Sequence, residues 1–268
     1  LKFGRTSITG VFAEQRSQSQ SVVSQGGGTL QDFSLYALDY EADRHFFLAH
    51  YFRDNYNKFL KTYPFINSPI QITRIEVWIT NRQAQTNNIR NLIALQDIGE
   101  SNPANTRLAE LDDNFINSTS LEFLPSNSSN KLDPENIGSG SYIDTKIRDK
   151  GTISQAFGQL NTVVQEGIDY AILESARKLD PSEYTFHPQL GYLSLNQRLG
   201  NDEILGVSFQ FTYRGKVFQV GEFANGGQVG TNSTTISIKK DDNENLIIKL
   251  LKSSLTNVDQ PVWNLMMK

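Results

Sequence analysis

Ile204-Leu205-Gly206-Val207-Ser208-Phe209-Gln210-Phe211-Thr212-Tyr213, Arg214-Gly215, and Lys216-Val217-Phe218-Gln219-Val220-Gly221-Glu222-Phe223 decide the class of fold. Leu205, Val207, Phe209, Phe211 and Tyr213 alternate with Ser208, Gln210 and Thr212, the period of a strand with one apolar face. Two residues ending in glycine then separate it from a second apolar run, which predicts a β-hairpin. The second strand contributes Val217 and Phe223 to the apolar side, with a mixed opposite face. Downstream, a Gly/Asn/Ser stretch from Asn225 to Thr235 leads into Ile236 to Lys239. A polar turn, Asp241 to Asn245, then precedes the apolar run Leu246 to Leu251.

Upstream, Tyr170 to Leu179 reads as a strand or as the extension of a helix. That helix is predicted behind the cap Thr152, with Ile153, Phe157, Leu160, Val163 and Val164 at helical spacing and an end at Gly167. Gly99 to Ser141 is rich in Asn, Ser, Pro and Asp, with apolar islands only at Leu108 to Leu111 and Phe115-Ile116, and predicts a long, partly ordered excursion. Ile70 to Ile79 predicts a strand whose alternation changes phase at Thr73-Arg74, as one extra residue in a bulge would cause. Leu92 to Ile98 is its expected partner. Before it, Asp39, Glu41 and Asp43 at one end and Lys58 and Lys61 at the other frame a helix stopped by Pro64. Leu48, Phe52, Tyr56, Phe59 and Tyr63 give it an aromatic face that a sheet must cover. Leu1 to Val23 reads as β-structure, either an exposed hairpin or part of a transmembrane barrel, with a joint at Gly26-Gly27-Gly28. The expected fold is α+β: mixed or mainly antiparallel sheets, two principal helices and long Asn/Ser-rich loops.

Composition bounds the function. The 268 residues carry 25 Lys+Arg against 29 Asp+Glu, a formal charge of -4, so no global basic excess points to nucleic acid. With no cysteine there is no disulfide, thiolate nucleophile or Cys-ligated metal. No apolar stretch approaches the ~20 residues of a membrane helix. The beginning at Leu1 lacks the plan of a signal peptide, and the chain is expected to be an internal piece of a longer protein.

Chemistry-bearing residues are sparse. His45 and His50 are five apart, which on a helix sets them about 140° apart, too far round to share a metal. They are expected on the helix surface or flank. His187, between Phe186 and Pro188, has no nucleophile paired with it by motif. The triple glycine lacks the Lys-Ser/Thr ending of a phosphate loop, and Gly138-Ser139-Gly140-Ser141 lacks the spacing of a nucleophile elbow. Asp112-Asp113 and Asp241-Asp242 read as solvated turns rather than calcium loops. Asn117-Ser118-Thr119, Asn127-Ser128-Ser129 and Asn232-Ser233-Thr234 match the glycosylation pattern. Trp78 and Trp263 are expected to pack. No enzyme, metal or cofactor site is expected.

Several longer stretches are more specific. These are Tyr170 to Leu179, Pro181-Ser182-Glu183-Tyr184-Thr185, His187-Pro188-Gln189-Leu190-Gly191-Tyr192-Leu193-Ser194-Leu195-Asn196, Asp202 to Val207 and Gly215 to Phe223. With Phe3-Gly4-Arg5-Thr6-Ser7, Asp43 to Tyr56, Ile75 to Arg82 and Trp263 to Lys268, they resemble the SprA/Sov family along nearly the whole chain, least in Gly99 to Ser141. The resemblance marks Arg177, Pro188, Gln189, Gly191, Tyr192, Asn196, Gly215, Val217, Gly221 and Glu222 as structural signature positions, none catalytic. It implies a segment of a very large outer-membrane β-barrel protein of Bacteroidota, the translocon of type IX secretion, required for gliding motility. Residues 1–25 would then be a strand or hairpin contributing to or abutting that barrel. Residues 26–268 would be a globular insertion outside the membrane, with its long loop at 99–141. Implied partners are the rest of the parent protein, other secretion subunits, secreted cargo, and the outer membrane through the parent barrel. The reading from a different class is a secreted carbohydrate- or calcium-binding module.

Overall fold

The computed structural model describes residues 2–3, 6–7, 41–117, 122–225, 244–255 and 257–267. The chain divides into residues 1–40 and 41–268. In the first unit, β1 (Lys2–Phe3) pairs antiparallel with β2 (Thr6–Ser7), Lys2 opposite Ser7. The Gly26-Gly27-Gly28 joint, the run Ile236 to Lys239, the Asp241-Asp242 turn and the Asn232 triplet lie outside the described residues, as does most of Leu1 to Val23.

The second unit contains β3 (His45–Phe47), α1 (His50–Phe59), β4 (Ile70–Ile79), β5 (Ile89–Leu95) and β6 (Tyr170–Lys178). There follow β7 (Tyr184–His187), β8 (Tyr192–Leu195), β9 (Leu205–Tyr213), β10 (Lys216–Val220) and β11 (Leu246–Lys252). β9 organises the sheet: one edge pairs with all of β4, from Ile70 opposite Tyr213 to Ile79 opposite Leu205. Its other edge is shared, Phe209 to Tyr213 pairing with β10 and Leu205 to Val207 with β11. β11 runs parallel to β5, β5 antiparallel to β6, and β6 meets β4 at Trp78 opposite Lys178 and Ile79 opposite Arg177. Five strands, β4, β9, β11, β5 and β6, thereby close into a small barrel. A barrel this narrow is filled by side chains. β11 is buried at every position and β9 at all but Thr212, so protein covers both faces of both strands.

The hairpin forms where the alternation places it. Arg214 and Gly215 both have positive φ, 47° and 76°, the two-residue turn whose twist matches paired strands. The phase change in β4 is a bulge: register against β9 shifts between Ile72 and Arg74, leaving Thr73 as the extra residue. Tyr170 to Lys178 is a strand. β5 is not hydrogen-bonded to β4; β6 lies between them, so the 80–88 loop carries the chain to its second neighbour. β10 also corrects its expected face, because Val217 is 40% exposed while Phe218 stacks on Phe211 with centroids 5.3 Å apart.

The first predicted helix is half strand. Tertiary pairing overrides local charge, since His45 to Phe47 lie against Tyr192 to Ser194 of β8 in a three-stranded sheet β3-β8-β7. The helix begins only at His50, after Ala49, whose side chain gives no cap. Glu100 supplies one from afar, its Oε1 accepting the His50 N–H at 3.2 Å. Phe52 is the wedge against the barrel, 6.1 Å from the Phe209 ring and 6.5 Å from Phe211. Tyr63 lies beyond the helix and 79% exposed, contrary to the expected apolar face.

The second helical region occurs as 3-10 turns, Thr145–Arg148, Lys150–Gln155 and Gly158–Leu160. Local polar side chains compete with the α-helical ladder: Asp149 accepts the Gly151 N–H at 2.9 Å, and Asn161 Oδ1 accepts that of Phe157 at 2.7 Å. Ile153, Phe157 and Leu160 are still buried, so the apolar positions are right and the period is wrong. The fold is thus broadly α+β and mostly sheet, with one α-helix among the described residues.

Candidate functional site

Most of the signature residues gather at two places, along the β7–β8 hairpin and past β10. At the end where β6 closes onto β4, a cleft of about 230 Å³ is lined by Ile79, Arg82, Arg177, Glu183, Asn196 and Arg198 among others. Arg177 Nη1 lies 2.8 and 2.7 Å from the two oxygens of Glu183, whose second oxygen also accepts the Asp180 N–H at 2.8 Å. Burial pushes the Glu183 carboxyl up, but Arg177 and that N–H outweigh it and hold it below the usual range. Asn196 donates from Nδ2 to Ser182 O at 2.6 Å, and its N–H reaches Glu183 O at 2.9 Å. Arg82 pairs with Asp202, and Arg198 with Asp43 at 3.1 Å. Each of these three guanidinium groups already faces a carboxylate, so the cleft wall is balanced in charge.

Pro188 to Tyr192 form the turn at the far end of the β7–β8 hairpin, beside the start of β4 rather than its Ile79 end. Pro188 O accepts the Ile72 N–H at 2.8 Å beside the β4 bulge, tying the small sheet to the barrel. Gln189 N and Leu190 N both donate to His187 Nδ1, at 3.3 and 3.2 Å. Burial lowers the pKa of that imidazole, and its role here is to close a turn. Gly191 has φ 65°, and a Cβ there would stand 2.1 Å from the Phe52 ring. Only glycine lets the β7–β8 turn pass so close to α1. Tyr192 packs edge-on against Tyr56, centroids 6.5 Å apart.

The second cluster lies past β10. Gly221 has φ 74°, and its N–H donates to Asn127 Oδ1 at 2.8 Å. Glu222 is buried, with Arg148 Nη1 and Nη2 at 2.5 and 2.7 Å from its two oxygens. Its Oε2 also accepts the Ile247 N–H at 2.9 Å. Burial lowers the Arg148 pKa to about 10. Gly215 makes the hairpin turn, and Val217 is exposed on β10, in no cluster with the others. Asn127 is 2% exposed and donates to Glu135 Oε1 at 3.2 Å, which removes it as a glycosylation acceptor.

Sequence reasoning missed a third group. His50 is 1% exposed, not at the surface, and its Nδ1 lies 3.0 Å from Glu100 Oε1. Its Nε2 lies 2.9 Å from Pro261 O. Lys249, wholly buried, places Nζ 2.8 Å from the same Glu100 oxygen and 2.7 Å from Gln96 O. Burial pushes the Glu100 carboxyl up, yet Lys249 and His50 together hold it well below the usual range. Burial raises Asp97 to about 6, against the Leu108 N–H and Lys249. Asn130 completes the network, donating from Nδ2 to Asp97 O at 2.7 Å and Glu100 O at 2.8 Å. The only signal was Lys249 itself, a charge inside the apolar run Leu246 to Leu251. Among the described residues no trio of His, Asp and Glu is arranged to hold a metal ion.

What these sites share is that their charged and polar side chains are spent on one another or on holding backbone. They define a structural module: a small barrel whose loops and appended sheet are pinned by buried polar contacts. The chain matches the family described as a motility related/secretion protein, SprA_N, over residues 1–200, and it belongs to that family. That family is one of motility and secretion rather than a known enzyme family. No curated protein matches the chain. Among the described residues no helix is long and apolar enough to cross a membrane.

Proposed function

We propose that the chain is a non-catalytic structural part of an outer-membrane protein-secretion translocon, serving type IX secretion and gliding motility. It helps to form or cap the export channel as an insertion of the larger barrel protein, and contacts cargo or partner subunits. The observation that carries the reading is the family match over residues 1–200, joined to signature side chains used for packing and hydrogen bonding. Its partners are the remainder of the parent protein, other secretion subunits and secreted protein.

The contact surface is better sought at the Arg177 cleft than in the long excursion. Leu108, Phe115, Asn130 and Leu132 are all buried, so removing 99–141 would open the core as well as remove a surface. The test is affinity capture of the full-length parent from native outer membranes, with the exposed cleft residues Gln83 and Gln197 unchanged or both replaced by Arg. Loss of co-purifying secretion subunits or trapped cargo in the double variant, with the parent still assembled, supports the reading. An unchanged partner set and unchanged export overturn the contact role.

A further inference from the structure

Two aromatic side chains are presented to solvent by an ordered turn. Tyr63 and Phe65 are each 79% exposed, the most exposed large apolar residues among those described. The turn is held by hydrogen bonds: Tyr63 N–H to Leu60 O at 3.0 Å, Phe65 N–H to Thr62 O at 3.0 Å, and Thr62 Oγ1 to Phe65 O at 3.1 Å. An isolated exposed apolar residue needs no explanation. Here two stand on one fixed turn.

The chain path sets this turn at the same end of the barrel as the β9–β10 hairpin tip. Asn67 N–H donates to Phe59 O at 2.9 Å, drawing the chain back beside α1 before it enters β4. Ile70, the first residue of β4, lies opposite Tyr213, and Arg214-Gly215 follow immediately. On α1, the Tyr51 ring is 6.2 Å from that of Phe59, and Tyr51 is within electrostatic reach of Tyr213 and Glu122. Phe123, 39% exposed, follows Glu122.

The charge of this end departs from that of the chain. A formal charge of -4 describes the whole, but Asn55 to Ile75 and Leu205 to Gly221 contain no Asp or Glu. Their exposed cations are Lys58, Lys61, Arg214 and Lys216, while Arg74 is half-buried beside Glu76. Glu122 answers one of the four, lying 3.2 Å from Arg214. Aromatic rings flanked by lysines suit the headgroup layer of a membrane, where rings enter the boundary and ammonium groups meet phosphates. A pocket on a protein would take the rings without calling for the surrounding cations.

We propose that the end of the module carrying Tyr63, Phe65, Lys58, Lys61 and the Arg214-Lys216 tip docks on an anionic, phosphate-bearing lipid surface. This goes beyond the translocon reading, and either can fail without the other, because binding of lipid by this chain alone does not involve the secretion machine. The test is flotation of the 268-residue chain with vesicles of phosphatidylcholine alone or mixed with phosphatidylglycerol. The chain is expected to float with the mixed vesicles, weakly with neutral ones, and less as salt rises. Tyr63→Ser with Phe65→Ser, and separately Lys58→Gln with Lys61→Gln, are each expected to lower the partition coefficient about tenfold or more. Thermal unfolding midpoints should stay unchanged in both, since the replaced side chains are exposed. Equal flotation of the variants, or equal binding to neutral vesicles, overturns the proposal. So does a dimer in sedimentation that the serine variant abolishes, which would make a second copy the occupant. A lowered midpoint in the serine variant would also overturn it, by showing that the chain itself covers the turn.

Discussion

The barrel wall and the excursion from Gly99 to Gly167 are held in place by different means. In the wall, backbone groups satisfy one another in ladders; one face of β9 packs apolar side chains, and on the other the buried Ser208 donates to Glu222 O at 2.6 Å. The excursion has short 3-10 turns and few ladders, so side chains bond backbone within it and at its borders: Asn130 to Asp97 O and Glu100 O, Asn127 to the Gly221 N–H, Asn245 to Ile147 O. A long connection can therefore be pinned without ladders, provided that polar residues are buried in step with its carbonyls. Its stability then depends on hydrogen-bond partners more than on volume.

Truncation in the wall should cost most. Phe209→Ala empties the space between Phe52 and Phe211 and is expected to lose about 3–5 kcal/mol in denaturant unfolding, with the slope against denaturant little changed. Asn130→Ala removes far less volume, yet it strands two carbonyls and the Leu132 N–H, which Asn130 Oδ1 accepts at 2.9 Å. A loss of about 2–3 kcal/mol is expected. If Asn130→Ala cost no more than a surface change, the contrast would fail, because the excursion would be held by its apolar islands alone.

That contrast also decides what could be read from sequence. Alternation and a phase change were enough for β4, its bulge at Thr73 and the β9–β10 hairpin, because a strand half in a core repeats every two residues. Closure of the barrel was not legible, since the meeting of β6 with β4 rests on two residue pairs that no local pattern encodes. Acids at 39 to 43 suggested a helix start, but pairing with β8 took His45 to Phe47 into a sheet. At the candidate site, Gly191 and Gly221 could be marked as special positions, though not the Phe52 ring or Asn127 carboxamide that make them so. The Lys249, Glu100 and His50 group joins residues up to 199 positions apart and left one trace, a lysine in an apolar run. The exposed turn at Tyr63 was misread because helical spacing continues past the real helix end.

Acid titration sharpens the comparison inside the polar network. Asp97 is raised to about 6 in the folded chain, so between its unfolded value near 4 and about pH 6 the folded state holds more protons than the unfolded. Stability should fall as pH rises through that window, by at most about 1.4 kcal/mol per unit. Glu100 is lowered and acts oppositely, its contribution being lost as pH falls below the ordinary carboxylate range. Asp97→Asn keeps an acceptor for the Leu108 N–H and should flatten the slope between about pH 4 and 6, leaving the part due to Asp169, which burial also raises, and the acid limb. An unchanged slope would assign it to another group.

The smallest effect belongs to β10, a ladder strand beside the barrel, which makes it the sharper control. Val217 sits in β10 within the ladder, one of the positions singled out by family resemblance, yet it is 40% exposed and faces no buried partner that would reject a hydroxyl. Val217→Thr keeps the β-branched shape and should change unfolding free energy by no more than about 0.5 kcal/mol. Asn130, outside every strand, is expected to cost several times more. If the order were reversed, membership of a strand ladder would set the energy of a residue. If it holds, what sets the energy is whether the side chain's neighbours can find replacements for what it supplied.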